Sequence, residues 1–124
     1  MGGSTVKEAL IAIPEFALDV EHMVAAALKK WPGASVHTDR LGNVSVAHQA
    51  SPTQWLEVSF QPTGHGIGLD GEGAELAAET IVWLMQTAHM PAEAEAVLIE
   101  WASDLIPLDL TTTRESLLAV NENW

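Results

Sequence analysis

The residues of this chain whose types and spacing suit chemistry are His37 and His48, the glycine-rich run GHGIGLDGEG at 64–73, and the carboxylates Asp70, Glu72, Glu75 and Glu79. Imidazole nitrogens are zinc ligands. A two-residue Gly42-Asn43 turn would set His37 and His48 directly opposite each other on neighbouring strands, whereas a Leu41-Gly42 turn would leave them diagonal. No third ligand stands at a spacing such as HExxH, so the two read first as strand histidines and only second as a metal pair. The glycine run departs from phosphate-binding loops: its glycines miss the GxGxxG spacing, no Walker lysine follows, and Asp70, Glu72 and Glu75 would repel phosphate. It reads as a flexible hairpin loop. Spacings of three and four place Glu72, Glu75 and Glu79 on one face near the start of a helix, with Gln86 continuing the line. Acids there suit the helix dipole, and they also present an acidic surface to a basic partner. No serine sits in a GxSxG elbow and cysteine is absent, so no nucleophile motif is legible and no catalytic residue is assigned.

The elements that must position these groups follow from periodicity. In WLEVSF, Leu56, Val58 and Phe60 alternate with Trp55, Glu57 and Ser59, the pattern of a half-buried strand. A long helix over 74–89 is apolar around most of its circumference and needs burial on more than one side, which a homodimer is one way to provide. Upstream, Thr5 and Glu8 have capping-box spacing for a turn or two of helix through Leu10 and Ile11, and the main N-terminal helix is expected to restart near Pro14 or Glu15 and end at Pro32-Gly33. SVHTD and VSVAHQ flank a turn and predict a hairpin; Ile67 and Leu69 can add a short edge strand. Residues 92–102 read either as a helix or as a strand centred on AVLIEW. Ile106, Leu108 and Leu110 alternate, and Thr112 with Glu115 predicts the cap of a last helix. The sum is one α+β domain over 1–124: an antiparallel sheet of about three to five strands against an N-terminal and a long central helix, with a short C-terminal helix and a flexible tail at 1–4.

Seventeen acidic residues against five basic ones give a formal charge of −12. Such a field disfavours nucleic acid and anionic membranes, and it favours a basic protein partner such as a nuclease. MGGSTVKEAL has no secretory h-region, and no apolar run is long enough to span a bilayer, so a soluble cytoplasmic protein is expected, with no cofactor. Five tryptophans accompany two phenylalanines and no tyrosine. Trp31, Trp83 and Trp101 fall on apolar stripes and read as core or dimer contacts; Trp55 and Trp124 read as candidate exposed anchors.

The segment AELAAETIVWLMQTAHMPAEAEAVLIEW resembles the C-terminal half of small immunity proteins from bacterial polymorphic toxin systems. Ile81 to Ala88 match that family's helix, Pro91 its turn, and Val97 to Trp101 its strand ending in tryptophan; the Ala-Glu repeat at 92–96 lengthens the turn. In order of elements the chain is also similar to class I secretion chaperones, which are small acidic α+β dimers. The first resemblance implies a non-enzymatic protein that occludes a toxin; the acidic run and the polar-facing tryptophan make Asp70, Glu72, Glu75, Glu79 and Trp55 the expected partner-binding residues. The second implies a dimer that binds an effector peptide. A small-molecule enzyme or metal protein would instead need a polar cavity holding His37, His48 or His65.

Overall fold

The computed structural model describes residues 6–124. A seven-stranded antiparallel sheet carries three helices. In chain order the elements are β1 (Lys7–Ala12), α1 (Val20–Lys30), β2 (Ser35–Thr38), β3 (Val44–Ser51), β4 (Gln54–Phe60), β5 (Gly66–Glu72), α2 (Ala74–Thr87), β6 (Ala96–Ile99), β7 (Ile106–Leu108) and α3 (Arg114–Val120). The spatial order is β2-β3-β4-β5-β1-β6-β7. The α+β class and antiparallel sheet agree with the sequence reading, but the sheet is wider than expected by at least two strands.

The first difference is β1. Glu8 caps no helix; it stands in a strand that pairs with β5 on one side and β6 on the other. Thr5, the other half of the expected capping box, lies outside the described residues. A stretch this short cannot sustain a helix alone, and KEALIA places Ala9 and Ile11 in the core by period-2 alternation. The main helix also starts later than Pro14. Residues between β1 and α1 are tied to the β4–β5 loop: Ile13 N–H donates to His65 C=O at 2.8 Å and Leu18 N–H to Gly64 C=O at 2.8 Å. Gly64 has φ +79°, and a Cβ there would lie 2.5 Å from the Leu18 carbonyl oxygen, so this crossing requires glycine. The helix begins where Asp19 can cap it, accepting from His22 N–H at 3.1 Å.

The second difference is β5. The run read as a flexible loop is an internal strand, between β4 and β1, because its glycines alternate with Ile67 and Leu69, which enter the core. The 92–102 alternative resolves as a strand: Leu98 faces the core opposite Ile11 and Ile106, and β6 forms a hairpin with β7. Leu110 lies beyond β7, exposed. The last helix is capped one residue later than expected, by Thr113 with Ser116 in a reciprocal box.

Helices α1 and α2 cover one face of the sheet, α1 over β3 and α2 over β4 and β5, and α2 is flanked by α1 and α3. Those flanks add to the burial that the sheet gives α2. Trp101 is fully buried and donates its Nε1–H to the Leu117 carbonyl at 2.8 Å. Trp124, expected as an exposed anchor, packs on Trp101 at 5.8 Å between ring centroids and is half-buried. No helix among the described residues is long and apolar enough to cross a membrane.

Candidate functional site: the open sheet face

Alternation along each strand sends Val46, Val58, Leu69 and Ala9 to the helices, and the next residues to the opposite face, which no helix among the described residues covers. Reading across that face, one row is Gln49, Trp55 and Glu72; the next is Ala47, Glu57, Asp70 and Glu8; the next is Ser45, Ser59, Gly68, Leu10 and Ile99. The middle row sets three carboxylates directly opposite one another on β4, β5 and β1. Like charges in that relation destabilise a sheet. Burial, together with Glu8 and Glu57 beside it, holds the Asp70 carboxyl above the usual carboxylate range. Beside the row, Trp55 stands opposite Glu72, half-buried, and borders a hollow of about 260 Å³ next to Gln49 and His48.

The structure therefore divides the carboxylates that spacing had grouped. Asp70 and Glu72 lie on β5, on the open face with Trp55. Glu72 is not part of the helix, because Gly73 is its N-cap. Glu75 and Glu79 are on α2 and bind Arg114 of α3, at 3.3 Å to Nη2 and 3.1 Å to Nε. Arg114 also meets Glu115 at 3.3 Å, and all ion pairs among the described residues converge on this one guanidinium. Glu8 and Glu57, which complete the open-face row, were missed by sequence reasoning. The signal for Glu57 was its place two residues from Trp55 in the same alternation; for Glu8 it was the period-2 pattern of KEALIA.

The histidines do not assemble. Asp39 N–H donates to Asn43 C=O at 3.0 Å and Gly42 N–H to Asp39 C=O at 3.2 Å, giving a three-residue loop with Gly42 at φ 89°. The Asp39 carboxylate accepts from the Asn43 side-chain amide at 2.9 Å, and also from Asn43 N–H at 3.0 Å and Leu41 N–H at 2.8 Å; the side-chain bond first, then the backbone bonds, hold it below the usual carboxylate range. This register pairs His37 with Ser45 and His48 with Leu56, so the two rings lie on opposite faces. His48 stacks on Trp31 at 4.9 Å between centroids, and burial with nearby Lys30 lowers its affinity for a proton. The His65 ring is engaged by the Ile13 and Phe16 carbonyls at 3.0 and 3.1 Å. No group of three or more His, Asp or Glu among the described residues is arranged to hold a metal ion. The carboxylate row itself is spread along neighbouring strands about 4.8 Å apart rather than converging on a point.

What the open face can do chemically is present fixed negative charge around an aromatic side chain. Comparison of the chain with protein-family models, curated proteins and solved structures finds no match.

Proposed function

We propose that this protein is a non-enzymatic binding protein whose open sheet face occludes the basic surface of a partner protein, and that the partner is a bacterial toxin. The observation that carries the reading is the row Glu8–Asp70–Glu57. Each opposed pair costs the fold repulsion that a neutral residue would avoid, and nothing among the described residues offsets it with a cation. Local choices that work against the fold concentrate where function requires them. A basic partner removes the repulsion on binding, so the same charges raise its encounter rate and release strain in the complex. Trp55, beside Glu72, supplies a large apolar contact of the kind that anchors interfaces. The toxin identity rests on the likeness of residues 81–101 to immunity proteins. Its negative charge would complement a cleft that binds phosphates, as a nuclease cleft does.

The test is a paired capture from the native source with wild-type protein and with Glu57→Lys/Asp70→Lys. The wild type should retain a basic protein that arrests growth when expressed alone, and co-expression should relieve the arrest. The double variant should lose affinity at least a hundredfold and fail to relieve it. Glu75→Lys/Glu79→Lys should bind as the wild type does, because those carboxylates belong to the α2–α3 contact. Equal binding by the open-face variant, with salt dependence unchanged, refutes the reading.

A further inference from the structure

A second surface lies at the β2 edge. Nothing among the described residues pairs with the outer side of β2, and all four of its residues are exposed. Because Asp39 and Asn43 form a hydrogen-bonded pair, antiparallel alternation turns the N–H and C=O groups of Val36 and Thr38 outward. Val36 stands opposite the core residue Val46, so its side chain, 45% exposed, lies on the helix-bearing face. On that face α1 leaves an apolar groove of about 320 Å³ lined by Val20, Val24, Ala25, Leu28 and Val44, with Glu21 its one charged wall. Val44 of the groove wall is the register partner of Thr38 on that edge strand.

The charges around this edge differ from those of the rest of the chain. Lys29 lies in the last turn of α1, six residues before Ser35, and Arg40 lies two residues beyond Thr38. Lys30 is turned to the Trp83 ring, 5.4 Å from its centroid. Asp39 is engaged by its own turn. β2 contains no Lys, Arg, Asp or Glu to block pairing.

We propose that β2 is the acceptor edge for an extended segment of a partner protein, with apolar side chains at alternate positions and a carboxylate at each end. Strand addition would supply the backbone bonds that Val36 and Thr38 offer, lay the alternate side chains into the α1 groove, and meet Lys29 and Arg40 with the terminal acids. A second copy of this chain fits worse. Twofold antiparallel pairing of β2 with itself sets Arg40 of one copy near Lys29 of the other, and a four-residue strand buries little of the roughly 1,200–2,000 Å² that a stable interface uses. The outer backbone of β2 and the α1 groove contain neither the open-face carboxylates nor Trp55, so the proposal does not depend on the reading of the open face.

Fluorescence anisotropy with a labelled peptide of alternating valine and threonine closed at each end by glutamate tests the proposal. Saturable binding is expected, weakened at least tenfold by Val36→Pro, which removes an outward N–H while leaving the β2–β3 ladder intact. Leu28→Ser and Arg40→Glu should each weaken it severalfold, and replacing the peptide's glutamates by lysine should do the same at low salt. Glu57→Lys/Asp70→Lys should bind the peptide as the wild type does, which separates a failure here from a failure at the open face. Absence of saturable binding, equal binding to all four β2-edge and groove proteins, or a wild-type dimer that Val36→Pro dissociates would overturn the proposal, the last by showing that a second copy occupies the edge. Far-UV circular dichroism confirms that each variant is folded, and Leu28→Ser and Arg40→Glu carry the test should Val36→Pro not fold.

Discussion

Replacing Asp70 by asparagine should make the protein more stable. On β5 this carboxylate stands directly opposite Glu8 on one side and Glu57 on the other. Opposed side chains on neighbouring strands are about 5 Å apart, where two unit charges repel by about 0.8 kcal/mol in a water-like dielectric. A Debye length of about 8 Å at physiological salt roughly halves that value. Two contacts therefore amount to about 1 kcal/mol, and removing them should raise the melting temperature by about 3–6 °C in a domain of this size. The effect has a pH signature. Because the folded-state pKa of Asp70 lies above its unfolded value, the penalty is fully present above the folded pKa and disappears as pH falls through it towards the unfolded value. Urea denaturation of wild type and Asp70→Asn, at pH 7 and again near pH 4, at low and high salt, measures all of this. The gap should be widest at pH 7 and low salt and should close in acid. If Asp70→Asn unfolds at the same or lower urea concentration under the first condition, the row is not a source of repulsion, and the argument built on it fails.

Gly64→Ala should destabilise by more than about 1 kcal/mol, since φ +79° and the Leu18 carbonyl both oppose a Cβ; chemical denaturation measures it. Trp101→Phe leaves the Leu117 carbonyl without its donor in a buried setting and should cost about 1–3 kcal/mol, read the same way. His65→Ala releases the Ile13 and Phe16 carbonyls, and amide exchange should accelerate across residues 13–18 before it does in α2. Asp39→Ala should lower stability at neutral pH, and the difference from wild type should shrink as pH falls through the depressed folded-state pKa of Asp39, because its stabilisation exists only while the carboxylate is ionised.

Periodicity reveals an element when one pattern dominates the window, as in WLEVSF and AELAAETIVWLMQT, and both fold as read. It fails for β1 because TVKEALIA fits a capped helical turn as well as it fits alternation. The choice is made by β5 and β6, which lie far along the chain and present paired strand edges on both sides. It fails for β5 because glycine weakens the strand signal, although the small residues only leave the inward-facing Ile67 and Leu69 to carry the packing. The site was partly legible for the same reason. Asp70, Glu72 and Trp55 are near enough in local pattern to be singled out, whereas Glu8 and Glu57 join them only through register. The link from Arg114 to Glu75 and Glu79 is a tertiary contact that no local spacing contains.

Among the described residues, strand β1 is the only element that joins β6 and β7 to the rest of the sheet. Ile11 meets Ile67 on one side and Leu98 on the other, so closing the sheet brings together three strands that lie far apart in the sequence. Contacts of that kind form late, after local hairpins such as β2–β3 and β3–β4, because their loop-closure entropy must be overcome first. The same strand delivers Glu8 to the carboxylate row. An incompletely assembled molecule therefore lacks one end of the negative stripe, and the epitope offered to a partner is itself a report that the sheet has closed.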